Sequence, residues 1–402
     1  MLRGGFHTPN HRWVMASALS LLYRLYGDER FRREAELYLA EGIDCTPEGE
    51  YTERSVGIYN VVNNRSLMIM AEELGRPELL EHVRRNLAMV QSYLEPDGSL
   101  YTLASRRQDL GTASFPVPYY ENYLLLAHAE GNPVHAGMAE LLLRQAEDRK
   151  GGGERIDRVL TQYLLRPELR ERDLERRPPP DRYELWNPGS GVARFRRGSV
   201  SLGLLRDSGA FLKLQVGALE VKLRVAATFY GPRGPFRPTS IERRGDRIAL
   251  ASRDRWGYVR PFGEPPPTSE WEAMPHARRE RANMQDHDVE ALCRWTGEGV
   301  ELELHSRGIE GVLYKLELIL SPGGWLDTPD LSLPGTAGQW ALLRAARATY
   351  AFHSDRIEIL GGFAEHSYGP RMRGSEPQDM GSFTLASTGY TPMDRRLTIR
   401  AL

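Results

Sequence analysis

Four small groups of side chains in the first quarter of the sequence could do chemistry. They are Asn10 with His11, Glu53 with Tyr59, the amides Asn60, Asn63 and Asn64, and the pair Arg106-Arg107. Amide and guanidinium groups are donors suited to a carboxylate, or to negative charge that builds up in a transition state. A phenol with an ordinary pKa near ~10 can hand over a proton, and beside cations it can also take one. His11, an imidazole, could partner either step. Asn10, His11 and Tyr59 have side chains of the types such chemistry uses. Trp13, Glu53, Asn60, Asn63, Arg106 and Arg107 are the candidates for holding a ligand.

Each residue also has a plainer reading. Asn10 could be only a helix N-cap, and His11 a surface residue in the first turn. Trp13 shares an apolar stripe with Val14, Leu21, Leu22 and Leu25. Tyr59 could pack in a core, and Glu53 could begin a helix, where a carboxylate favours the dipole. Arg106 and Arg107 sit beside Gln108 and Asp109 in a loop, which suits an anionic ligand, but arginine is abundant throughout this chain. Glu53 with Asp97 or Asp109 could instead form the two-carboxylate pair of an inverting glycoside hydrolase, which needs a separation of roughly 6.5–9.5 Å.

The elements that must position these groups are helical. Apolar spacing predicts helices over 10–26, from 28 to about 41, from 55 to a stop at Gly75, and 77–93, followed by 119–130 and 133–148. Asp28 is a cap for the second, Ser55 for the third, and Pro77 suits a first turn. The glycine run after Lys150 breaks the pattern, and one more helix is expected over 155–165. Short connections imply antiparallel hairpins, and repeated hairpins imply a toroid or solenoid.

The character of the chain then changes. The stretch 166–185, with Arg176-Arg177-Pro178-Pro179-Pro180, reads as a charged, proline-rich linker. Beyond it short β-prone runs alternate with Gly, Asp and Pro, as in an antiparallel sandwich. One long interruption, 254–288, carries Trp256, Tyr258, Phe262, Trp271 and His276 and reads as a loop covering a groove. The expected organisation is a helical domain over 1–165, a linker over 166–185 and a β-sandwich over 186–402.

Composition narrows the function. With 402 residues and a formal net charge of −1, no overall field favours nucleic acid or an anionic membrane. The basic residues are nearly all arginine, the exceptions being Lys150, Lys213, Lys222 and Lys315. That leaves little material for covalent lysine chemistry and much for carboxylate recognition. Cys45 and Cys293 form neither a metal spacing nor a disulfide framework. No stretch reads as a signal peptide or a membrane span, so a cytoplasmic protein is expected.

Three motifs carry a family resemblance. Thr8-Pro9-Asn10-His11-Arg12-Trp13 resembles the Asn-His helix start of the heparinase II/III-like polysaccharide lyases. Glu48-Gly49-Glu50-Tyr51-Thr52-Glu53-Arg54-Ser55-Val56-Gly57-Ile58-Tyr59 is similar to that family's run of Gly, Glu, Ser and Tyr. Pro96-Asp97-Gly98-Ser99-Leu100, leading to Asp109, resembles its later Asp-Gly turn. Order and spacing agree over 6–109.

The resemblance implies an α+β multidomain fold, an (α/α) toroid followed by an antiparallel β-sandwich. It implies β-elimination on an anionic, uronate-containing poly- or oligosaccharide. Asn10, with His11, would lie near the substrate carboxylate, and Tyr59 would be the proton-transferring phenol. No cofactor and no metal are expected. A full toroid needs more helices than 1–165 supplies, so the expectation is an incomplete, open toroid, one whose remaining helices lie in residues outside this sequence, or one whose groove a second copy completes in a homo-oligomer. Two features depart from the family. Its Gly-His-x-His-Ala-Asp-like strand has no counterpart around His276, His287, His305, His353 or His366, and Asn60 follows Tyr59 where the family often has His. A carbohydrate-binding protein without catalysis therefore stays open beside the lyase and the hydrolase.

Overall fold

The computed structural model describes residues 2, 4–148, 156, 159–171, 173–369 and 372–402. Contacts divide the chain into two compact units, Met1–Ser190 and Gly191–Leu402. The first is helical: α1 (Pro9–Tyr26), α2 (Glu29–Ala40), α3 (Tyr59–Glu73), α4 (Leu80–Ser92), α5 (Tyr120–Glu130), α6 (Pro133–Glu147), α7 (Val159–Leu165) and α8 (Glu168–Glu171). Helix α1 packs on α2 and α3, α3 on α4 and α5, and α5 on α6.

Local chemistry sets the ends. Pro9 opens α1, where its missing N–H costs nothing. Gly27 closes it in the left-handed region with its N–H on Tyr23 O at 2.8 Å. Asp28 accepts from the Arg30 N–H, and Asn132 accepts from Val134 and His135 at the start of α6. Trp13, Leu19, Leu67, Met70, Val83, Leu87 and Tyr123 have no exposed surface and make the core of this unit. The glycine run and the expected helix start at 155 lie outside the described residues, and the helix is seen from Val159.

The stretch 166–185 differs from the expected linker. It contains α8, buries Leu169, and is tied to α6 by the Arg177 N–H donating to Pro133 O at 2.9 Å. A Cβ at Gly137 would lie 1.7 Å from Arg177 O, so only glycine lets this backbone dock on α6. Proline density here signals a packed extended segment; the boundary between units falls after Ser190.

The second unit is a sandwich of two sheets. One runs through Val192–Arg197, Val200–Leu205, Leu212–Val216, Leu219–Ala227, Leu313–Leu320, Phe383–Tyr390 and Trp340–Leu342. The other runs through Ser332–Gly335, Gly324–Asp327, Arg347–Phe352, Asp355–Leu360, Asp394–Ala401, Gly299–Gly308, Arg281–Trp295, Arg247–Val259 and Ser240–Arg244. Pairing is antiparallel except between Trp340–Leu342 and Phe383–Tyr390. Period-two alternation explains the core: Leu214, Val221, Leu223, Leu316 and Leu318 are buried on one face, while Lys213 pairs with Lys222 across the ladder on the other.

The segment 254–288 is irregular only over 260–280, with two short 3-10 turns; its two ends are strand. Strand Arg247–Val259 pairs with Arg281–Trp295 along a long hairpin, with a register shift between Trp256 and Tyr258. Trp256 is covered by the guanidinium groups of Arg233 and Arg281, at 3.5 and 3.4 Å from the ring. Arginine stacking, rather than an apolar stripe, packs this arm, which is why strand patterning is weak in its sequence. Among the described residues no helix is long and apolar enough to cross a membrane.

Candidate active site

The stretch between the turn at Gly49 and the start of α3 is held by buried polar contacts. Gly49 adopts φ +92°, and a Cβ there would lie 2.2 Å from Arg85 O, so glycine is required. Arg54 adopts φ 49°, a strained conformation for a residue with a side chain. Its N–H donates to Tyr51 O, and its carbonyl accepts the Arg106 N–H at 2.7 Å. Asp109 binds the other side. Its Oδ1 accepts from Ser55 Oγ at 2.8 Å, and its Oδ2 from Gly57 N at 2.8 Å and Ser105 Oγ at 2.7 Å. One buried carboxylate thus joins the approach to α3 to the loop that carries Arg106 and Arg107.

That joint brings candidate residues together. The Arg107 guanidinium lies over the Tyr59 ring, 5.3 Å from its centroid, and its Nη2 is 4.0 Å from Glu53 Oε1. Glu53 is buried and neither of its oxygens has a hydrogen-bond partner of good geometry. Burial raises its pKa, while Arg107 and the backbone N–H of Asn10 oppose the rise. Asn10 is buried in the first turn of α1, where Oδ1 accepts from Thr8 Oγ1 at 2.7 Å. Thr8, not Asn10, occupies the N-cap position, so Asn10 is not needed as a cap. Tyr59 is half-buried at the first position of α3, with its N–H on Ser55 Oγ at 3.2 Å.

A second buried polar layer joins the start of α3 to the Gly49 turn, and Glu50, which the sequence reading left without a role, belongs to it. Glu50 is buried and its pKa is pushed up to about 7 by desolvation, against the pull of Arg54, Asn60 and Tyr93. The Asn60 amide reaches Glu50 Oε1 at 3.5 Å. Tyr51 donates to Asn64 Oδ1 at 2.8 Å, Asn64 donates to Asn86 at 2.8 Å, and Asn86 donates to Gly49 O at 2.7 Å. The Asn-rich start of α3 therefore clamps the Gly49 turn.

Several expected ligand contacts are corrected. Trp13 has no exposed surface, and its indole N–H is spent on Asp44 Oδ1 at 2.8 Å, so it offers no platform to a sugar. Asn60 and Asn63 are fully buried; Asn60 belongs to the second polar layer, and Asn63 is sealed among the helices. His11 packs edge-on against His7 at 4.5 Å. Arg106 is exposed, and its backbone orders the loop. Of the two partners named for Glu53 in a hydrolase, Asp109 is not free for proton transfer. Asp97 is exposed and closes its own turn through Ser99, and Asp109 is saturated by three donors. Burial pushes both cysteine thiols up to about 12, which removes them as nucleophiles. Among the described residues no His, Cys, Asp and Glu group is arranged to hold a metal ion.

No protein-family model and no curated protein matches the sequence. The fold does match solved structures. The heparan sulfate lyase HepC of Pedobacter heparinus aligns over 99% of this chain and 60% of its own, at TM-score 0.51 and 10% identity. The chondroitin AC lyase of Streptomyces coelicolor, solved with chondroitin sulphate, aligns over 99% of this chain and 61% of its own, at TM-score 0.53 and 11% identity. A heparinase III gene product aligns over 100% of this chain and 60% of its own, at TM-score 0.51 and 9% identity. The chain thus spans about three fifths of the length of these structures. The helical unit followed by an antiparallel β-sandwich is the fold of the heparinase and chondroitin lyases, as the three motifs led one to expect.

Proposed function

We propose that this protein is a polysaccharide lyase that cleaves a uronic-acid-containing glycan by β-elimination. The observation that carries the reading is the convergence of Tyr59, Arg107 and Glu53, with Asn10 beside them. Elimination removes a carbon-bound proton α to a carboxylate, so the site must first offset the carboxylate charge and then stabilise an enolate-like dianion. Arg107 supplies the cation, and Glu53 together with the ring of Tyr59 fixes its direction. The Asn10 amide adds a neutral donor for the charge that grows in the transition state. The Tyr59 phenol takes the proton and returns one to the leaving oxygen.

The fold shared with heparinase and chondroitin lyases supports the reaction class; the substrate and the residue roles are our reading. Heparan sulfate, chondroitin sulphate and alginate are the glycans to offer. A lyase gives an unsaturated product that absorbs in the ultraviolet. A hydrolase gives new reducing ends without absorbance, and a binding protein gives neither. Absence of absorbance with every uronate glycan would overturn the proposal.

A further inference from the structure

Three backbone irregularities meet on one small surface of the second unit. Tyr230 stands at φ 39° and ψ 49°, in the left-handed region that a bulky side chain rarely enters. Asn283 stands there too, at φ 52°, and its carbonyl accepts the Tyr230 hydroxyl at 3.4 Å. Between Trp256 and Tyr258 the register of the hairpin shifts, and a Cβ on the intervening Gly257 would lie 2.5 Å from Ala282 O. Such a bulge re-aims the side chain that follows it. That side chain is Tyr258.

The Tyr258 ring is 66% exposed, and the Tyr230 ring backs it edge-on at 5.1 Å. Tyr230 packs in turn at 4.9 Å against Phe229, which has no exposed surface. A line of aromatic contacts thus anchors the exposed ring to the core. Strained backbone persists where its surroundings over-determine it, and it recurs at ligand clamps. One cation stands beside the ring. Arg281 Nη1 donates at 3.2 Å to Gly257 O, the carbonyl of the peptide that leads into Tyr258, and its guanidinium stacks 3.4 Å from the Trp256 ring centroid. The carboxylates of these strands have other neighbours. Asp254 takes Arg233 at 2.7 Å, Asp286 lies 3.6 Å from Arg255, Asp288 faces Arg253, and Glu280 accepts the Arg260 N–H at its carbonyl. Among the described residues Arg281 has no carboxylate within ion-pair distance. An ordered, solvent-accessible guanidinium with no anion of its own, next to an exposed aromatic ring, fits an acidic sugar. The apolar C–H face of a pyranose lies on the ring, and its carboxylate or sulfate takes the guanidinium fork. Nucleic acid, whose affinity rests on many cations along a backbone, is disfavoured by the formal net charge of −1.

We infer that this surface binds one acidic sugar residue of a glycan, stacked on Tyr258 and held by Arg281. The inference rests neither on the Tyr59 cluster nor on the elimination reaction. It is tested on the full chain carrying Tyr59→Phe, so that no oligosaccharide is consumed. The protein is labelled with 3-fluorotyrosine and followed by fluorine NMR, with the Tyr258 signal identified from its loss in Tyr258→Phe. Alginate hexasaccharide supplies carboxylates alone, keratan sulfate oligosaccharide supplies sulfate esters alone, and maltohexaose supplies neither. At least one acidic glycan should shift the Tyr258 signal saturably and bind about tenfold or more tighter than maltohexaose. The arm that does so names the acid group. Arg281→Gln should weaken that binding about tenfold, as loss of one charge-assisted contact does, and Arg281→Lys should fall between. Should Arg281→Gln displace the unliganded Tyr258 signal, the comparison of the three glycans decides. No saturable shift with either acidic glycan, an equal shift with maltohexaose, undiminished binding in Arg281→Gln, or tighter binding of an oligothymidylate than of either acidic glycan would overturn the assignment.

Discussion

Arg107 lies over the ring of Tyr59, its guanidinium carbon 5.3 Å from the centroid. The two residues are far apart in sequence and meet because Asp109 ties the approach to α3 to the arginine loop. The proposed chemistry depends on that meeting.

Replacement of Arg107 by alanine removes the charge that would offset a uronate and leaves Glu53 buried without its cation. Loss of one preorganised electrostatic group commonly costs about 10²–10³ in kcat. We expect Arg107→Ala to lower kcat/KM by that order, and Arg107→Lys to recover only part of it, since lysine lacks the planar fork. Steady-state kinetics on a cleaved uronate glycan decide; a variant within twofold of the parent would remove Arg107 from the site.

Asp109 has an architectural task. Asp109→Ala strands three buried donors, and hydrogen bonds to charged groups are each worth about 1.5–3 kcal/mol. Denaturant unfolding should show a loss of about 3 kcal/mol or more. A fully stable Asp109→Ala protein that had lost only catalysis would argue instead for a proton-transfer role.

Glu50 predicts a pH dependence of stability. Its folded pKa of about 7 lies above the ordinary 4.5, so the folded state holds a proton that the unfolded chain releases. This contribution is most favourable below pH 4.5, fades as pH rises, and is gone above about 7. Glu50→Gln should flatten the curve across that window and raise stability at pH 8 by about 3 kcal/mol. Unfolding titrations between pH 5 and 8 read this directly. A parent whose stability rose with pH over the window, with Glu50→Gln following it, would contradict the assignment.

Trp13→Phe separates core from ligand roles. The indole N–H is lost from Asp44, which Arg12 still holds at 3.0 Å, so a modest destabilisation of about 1 kcal/mol is expected. KM should not move. A several-fold rise in KM in a well-folded variant would restore Trp13 as a sugar contact.

The sequence carried the architecture well because its signals were local. Helical spacing, Asp28, Gly75 and Pro77 set the hairpins, and alternation set most strands. It misled where tertiary contacts decide. Ser55 looked like a cap for a helix beginning at Val56, but α3 starts at Tyr59, because Asp109 engages Ser55 Oγ and the Gly57 N–H and holds the preceding turn open. The two ends of 254–288, which are hairpin strands, looked like loop because arginine–tryptophan stacking replaces apolar alternation there. At the site, residue type alone could not separate Asn10, beside Glu53, from Asn63, sealed in the helical core. Glu50 was illegible because its character comes wholly from burial.

The most direct measurement replaces Tyr59 by phenylalanine and follows ultraviolet absorbance with the uronate glycan that the parent cleaves best. Only the hydroxyl is deleted, and the ring beneath Arg107 is kept. The account predicts turnover reduced below detection with glycan affinity and unfolding midpoint unchanged. Turnover within a few-fold of the parent would contradict it.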